Sequence, residues 1–164
     1  MIKAYHGTTL SSKEQIVAQG FNLGTAFHFG KMNGDAIYAS TNKNWAEKFG
    51  SEIIHLNIDT SDFLYLNKME YNQLYDQFMT KIIFPYSSMK SYLYNLLYKQ
   101  IHDLDAENNR NSIRVFIRNT EYQIGIQLKE YVIQNGFKGM IIQSHKEDSS
   151  EITIYDTDEI TILH

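Results

Sequence analysis

FKGMIIQSHKEDSSEITIYDTDEITIL, residues 137–163, holds three short apolar runs separated by polar turns, none of them long enough for a helix. The runs at 139–143, 151–155 and 160–163 are rich in isoleucine, and the later two alternate with polar residues. That is the pattern of half-buried strands. Three strands in succession with no helix between them predict an α+β chain rather than alternating α/β.

Upstream, the pattern changes period. Asn135-Gly136 is a helix stop, and Thr120 is positioned to cap a helix ending near 134. Residues 108–119 are open to helix or strand, with Ile113, Phe116 and Ile117 favouring helix. Leu93, Leu96, Leu97, Ile101 and Leu104 predict a helix over 88–104. Met69, Leu74, Phe78 and Ile82 predict another over 68–83, and Pro85 breaks the chain after it. The first third returns to strands, at 2–6, 36–40, 52–58 and 63–66. Ser11 or Ser12 caps a helix to about 19, with Glu14 or Gln15 near its third position, and Gly20 stops it. Thr41 or Asn42 caps a helix over 43–49, ended by Gly50. Residues 22–35, with Gly24, Gly30 and Gly34, show no period and read as a mobile loop.

The chain of 164 residues fits one domain, 1–164, with enough apolar material (43%) for a core that needs no staples. The absence of cysteine excludes disulfides, thiol nucleophiles and cysteine metal sites. The six histidines, His6, His28, His55, His102, His145 and His164, have no close ligand spacing, so no metal is expected. A net charge of −4 argues against sequence-independent nucleic-acid binding. Arg110, Arg114 and Arg118, spaced by four, form one stripe if helical, most simply a solvated one pairing with Asp and Glu, the alternative being a surface for a phosphate-rich acceptor such as RNA or DNA. No apolar run approaches membrane-spanning length, and residues 1–7 carry no signal segment. The expectation is a cytoplasmic protein, or one delivered into a target cell without a cleavable signal peptide.

Three stretches suggest chemistry: Tyr5-His6-Gly7-Thr8 at the end of the first strand, Ala36-Ile37-Tyr38-Ala39-Ser40 as the second, and Glu151 opening a late strand that runs to Tyr155-Asp156. Taken singly, each is an ordinary structural residue type. Taken in order, the blocks resemble the ADP-ribosyltransferase superfamily, in its diphtheria-toxin and poly(ADP-ribose) polymerase branch, with a His, a Tyr and a Glu on separate strands. The resemblance runs through 5–21, 37–58 and 137–163, about half the chain. The middle, about 63–130, matches nothing in the family.

The resemblance implies two small packed, antiparallel-rich sheets forming an NAD cleft, with a helical insertion at 67–119. It implies NAD+ as co-substrate, no metal, and transfer of ADP-ribose to a protein or nucleic-acid acceptor by a toxin, effector or defence enzyme. An antitoxin or immunity partner would suit that role; a membrane partner would not. His6 would bind the adenosine-side ribose, and Gly7 would offer its backbone to the nicotinamide carboxamide, with Thr8 supporting the turn. Tyr38 would stack on nicotinamide and Phe49 on its other face, and Ser40 would reach the carboxamide. Glu151 would bind the 2′-hydroxyl of the nicotinamide-side ribose and oppose the charge developing at the anomeric carbon; Glu147 and Asp148 are its rivals. Lys31 or His28 could reach the diphosphate, and 143–150 would meet the acceptor. NAD+ glycohydrolysis and a non-catalytic NAD or ADP-ribose or partner-binding module are the alternatives. The second His and the arginines of the RNA 2′-phosphotransferase relatives are not visible in the matching blocks.

Overall fold

The computed structural model describes residues 1–23, 33–83, 107–144 and 149–163. Its strands are β1 (Ile2–Thr8), β2 (Ile37–Ser40), β3 (Glu52–Ile58), β4 (Phe63–Asn67), β5 (Gly139–Gln143), β6 (Ser150–Ile154) and β7 (Ile160–Leu163). The α-helices among the described residues are α1 (Leu10–Gln19), α2 (Lys43–Ala46), α3 (Lys68–Ile83) and α4 (Glu107–Gln134). The architecture is mixed α+β, and none of the described helices is long and apolar enough to cross a membrane.

The seven strands among the described residues belong to one sheet in the order β4-β5-β6-β2-β1-β3-β7. This corrects the expected pair of packed sheets. The sheet nevertheless has a narrow waist. β1 and β3 pair along seven residues, whereas β1 and β2 meet through Tyr5 and Ser40 alone. The two halves stay edge to edge because one apolar layer runs beneath both. Ala4, Ile54 and Leu56 from one half share a core with Ile37, Ala39, Ile152 and Ile154 from the other.

Strand alternation sorts the side chains onto two faces. That first core is closed by Ile16 of α1 with Phe21 and Leu23. The opposite face carries Met140 and Ile142, packed against Tyr71 and Phe78 of α3 and Ile124, Leu128 and Val132 of α4. The run Met140-Ile141-Ile142 is apolar without a break because β5 is buried on both faces. Leu56, Ile58, Leu128 and Ile154 are completely enclosed, and burying such a side chain stabilises by about 1.5–3 kcal/mol. The stretch read as an insertion, 67–119, thus contains α3 and the first half of α4, and α3 supplies Tyr71 and Phe78 to the second core.

Several local expectations are corrected. The cap of α1 is Thr9, whose Oγ1 accepts from the Ser12 amide at 3.3 Å, not Ser11 or Ser12. Asn42, not Thr41, caps α2 through the Trp45 amide at 3.3 Å, and the last turn, Glu47–Phe49, tightens to a 3-10 helix. α4 runs unbroken through Asn119-Thr120. Thr120 cannot start a helix there, because the apolar spacing of 113, 117, 124 and 128 continues past it. β6 begins at Ser150, one residue early, because Ser150 pairs with Gln143 at the end of the β5–β6 ladder. Of the loop read as mobile, Asn33-Gly34-Asp35 is a firmly bonded turn in which Asn33 and Gly34 are buried and Asp35 is half-buried. The helix expected at 88–104, Pro85, His28, Lys31, Glu147 and Asp148 lie outside the described residues.

Candidate active site

The strand order β6-β2-β1 places the three chemical stretches on adjacent strands. Ser40 is opposite Glu151 on one side and opposite Tyr5 on the other. Two strand spacings, about 10 Å, separate the Tyr5 and Glu151 backbones. Tyr38 lies two residues from Ser40 along β2, about 7 Å.

Alternation does not put all of them on one face. Glu151, Ser40 and Tyr38 share the face that carries Met140 and Ile142, since Ile142 pairs with Glu151. His6 pairs with the buried Ile54 and so belongs to the opposite face. It meets β2 at the waist, through the backbone. Past Tyr5 and Ser40 the β1–β2 ladder stops, and His6 Nδ1 makes a 2.7 Å hydrogen bond to the Tyr38 carbonyl. A carbonyl only accepts, so Nδ1 carries the proton and Nε2 of the neutral ring can only accept. The imidazole stands edge-on to Phe21, ring centroids 5.1 Å apart. Burial holds its pKa below the ordinary value, outweighing the opposing effect of the Tyr38 carbonyl.

Tyr38 is tethered at its tip. Its hydroxyl donates to the Gly34 carbonyl at 2.7 Å and accepts from the Asn33 amide at 3.2 Å. Burial pushes this phenol far above its usual range, so it is not an acid or base near neutral pH. The residue as a whole is half-buried.

Glu151 is half-buried on its strand. The strand's entry is pinned by the Thr41 amide on the Ser150 carbonyl at 3.0 Å and by the Ser144 amide on the Ser149 carbonyl at 3.0 Å. Burial raises the Tyr71 phenol, and the negative charges of Glu151 and Glu121 add to it. Tyr71 packs on the face of the sheet that carries Glu151. Glu121 lies on α4, and burial raises its pKa against the opposing pull of Arg118.

The remaining predicted residues have these surroundings. A Cβ on Gly7 would sit 1.9 Å from the Ala46 carbonyl oxygen, so α2 can rest on β1 only if residue 7 is glycine. Thr8 is buried, and its backbone meets Gly50 in the same way. Ser40 is enclosed, its Oγ accepting from the Asn42 amide at 3.1 Å. Phe49 is 68% exposed and meets Trp45 edge-on at 6.2 Å, while Lys48 lies 4.0 Å above the Trp45 ring. Among the described residues no group of His, Asp and Glu could hold a metal ion. Arg110, Arg114 and Arg118 all fall on α4.

Sequence reasoning missed Asn33. It is 5% exposed and all its polar groups are engaged. Besides Tyr38, it donates through Nδ2 to Thr153 Oγ1 at 2.8 Å, and its Oδ1 accepts from the Tyr71 hydroxyl at 2.7 Å. Its carbonyl accepts from the Tyr155 hydroxyl at 2.9 Å. Next to it, Asp35 accepts from Lys129 at its carbonyl, 2.8 Å, and from Tyr122 at its carboxylate, 3.3 Å. The available signals were the Asn-Gly pair before a strand and a threonine among isoleucines on β6.

No protein-family model matches this chain, and no curated protein matches it either.

Proposed function

We propose that this protein binds NAD+ across the waist of the sheet and transfers its ADP-ribose to a macromolecular acceptor. The observation that supports this most is the adjacency of β6, β2 and β1, which gathers residues 151, 38 and 6 from both ends of the chain. The residues present fit such a ligand. The Tyr38 ring gives nicotinamide a flat, pre-positioned surface at little entropic cost. Neutral His6 offers Nε2 as a hydrogen-bond acceptor for a ribose hydroxyl. Glu151 supplies negative charge on the Tyr38 face.

The reaction breaks the bond between the anomeric carbon and nicotinamide. The pyridinium nitrogen takes the bonding pair and leaves neutral, while positive charge builds on the ribose. The acceptor forms the new bond at that carbon and gives up its proton. The Glu151 carboxylate opposes the ribose charge, and a fixed charge so placed lowers a barrier without reorganising.

Incubation with labelled NAD+ and cell lysate tests this. Wild-type protein is expected to release nicotinamide and label macromolecules. Glu151→Gln is expected to lose about 100-fold or more in rate, as when one preorganised stabilising group is removed, while still binding NAD+. Free ADP-ribose with no labelled product would make water the acceptor. A wild-type protein that neither binds nor consumes NAD+ would overturn the reading.

A further inference from the structure

The Tyr38 ring is fixed by its hydroxyl as well as by its neighbours. Both tethering atoms, the Asn33 amide and the Gly34 carbonyl, belong to one turn. That turn is held from three directions: by Thr153 of β6, by Tyr71 of α3, and by Tyr155 beyond β6. It also presses on α4, since a Cβ at Gly34 would lie 2.7 Å from the Gly125 carbonyl oxygen. A glycine inside a helix costs stability. At position 125 the turn's backbone comes within contact of the helix.

A buried asparagine with every group satisfied has one orientation that works, because any other strands donors and acceptors in the core. Its amide then presents one hydrogen at one place. Thr153, its partner, also lies directly opposite Tyr38 on β6. The ring and the residue that locks it are thus referenced to the same strand that carries Glu151, two residues away.

We propose that Asn33 is a positioning residue: its hydrogen bonds to Thr153, Tyr71 and Tyr155 lock the 33–34 turn, which holds the Tyr38 ring at a fixed distance from Glu151 for stacking on the nicotinamide end of NAD+. The ligand named here rests on the function proposed above; the lock itself does not. Asn33 touches no reacting atom. It acts through Tyr38, and its loss is felt as weaker binding of a ring that must find its stacking surface.

The test uses Asn33→Ala, Tyr38→Phe, and Ile58→Val as a control, since Ile58 is a fully buried core residue outside the network. Proton NMR reads the protected Tyr38 hydroxyl, assigned by its absence in Tyr38→Phe, and calorimetry reads NAD+ affinity well below each melting temperature. The hydroxyl signal is expected in wild type and Ile58→Val and lost in Asn33→Ala. Asn33→Ala and Tyr38→Phe are expected to weaken NAD+ binding about tenfold, the equivalent of one net hydrogen bond. Ile58→Val is expected to melt earlier at unchanged affinity. If Asn33→Ala does not fold, Thr153→Val removes one bond at constant volume and is expected to weaken binding about threefold, a fraction of a hydrogen bond's worth. A Tyr38 hydroxyl signal that survives in Asn33→Ala, or in Thr153→Val where that stands in, overturns the lock. Unchanged affinity in those folded variants overturns the positioning role. Failure of wild type to bind NAD+ overturns the functional reading, and the hydroxyl signal still decides the lock.

Discussion

His6 is where structural and chemical readings of one residue can be separated. Its Nδ1 proton closes the gap where the β1–β2 ladder ends, and its ring is kept neutral by burial. Protonation would place a charge under Phe21 in a shielded position. The folded-state pKa is below the unfolded one, about 6.5, so the unfolded chain binds more protons between the two. Stability therefore rises with pH through that window. The His6 contribution is complete above about pH 6.5, the unfolded value, and is lost as pH falls toward the folded pKa. Urea midpoints for wild type are expected to fall from pH 7.5 to 5. His6→Asn, which has no titrating group, should start lower and slope less. Parallel curves for the two proteins would remove His6 from the account of acid sensitivity.

At the scale of elements, the 33–35 turn rests on α4 backbone against backbone. Gly34 has φ +79° and Gly20 has φ +80°, so alanine is similarly strained at both. They differ in surroundings: a Cβ at Gly20 meets nothing within 4 Å, whereas one at Gly34 meets the Gly125 backbone. Gly20→Ala is expected to cost about 1 kcal/mol from conformation alone. Gly34→Ala should cost about 2 kcal/mol or more, lowering Tm by roughly 5 °C or more. Equal costs, measured by thermal melts, would mean that the turn does not press on the helix. The same joint shows what a sequence can reveal. β3, α3, β5 and β7 were legible to the residue because apolar period and capping residues act within a few positions. The strands bearing His6, Tyr38 and Glu151 were legible for the same reason. The single sheet was not, because its continuity rests on one pair, Tyr5 and Ser40. The Asn33 network was hidden too. Its bonds reach residues 71, 153 and 155, and nothing local marks a loop asparagine as buried. Thr120 misled because a capping residue inside a continuing apolar stripe has no helix end to cap.

Across the whole molecule, a sheet joined at one pair is a weak line in an otherwise well-packed structure. The shared core beneath β1, β2, β3 and β6 keeps the halves aligned, yet few backbone bonds oppose their separation at the waist. A ligand that touches Tyr38 and Glu151 on one half and His6 on the other would tie the halves together. It would bind the folded state alone and stabilise it by mass action. At 100 times its Kd, NAD+ is expected to add about 2.7 kcal/mol, which for a chain of this length raises Tm by roughly 5–10 °C. The position of the contacts makes the claim stricter than a bare shift. ADP-ribose lacks the nicotinamide ring and nicotinamide lacks the ribose and phosphates, so each engages part of the site. Each alone, at the same concentration, is expected to raise Tm less than NAD+ does. Tyr38→Ala should abolish the nicotinamide shift and leave most of the ADP-ribose shift. If ADP-ribose stabilises the protein as much as NAD+ does, the nicotinamide end makes no contact and Tyr38 is not its stacking surface. If no nucleotide shifts the melt at millimolar concentration, the waist is a structural feature without a ligand.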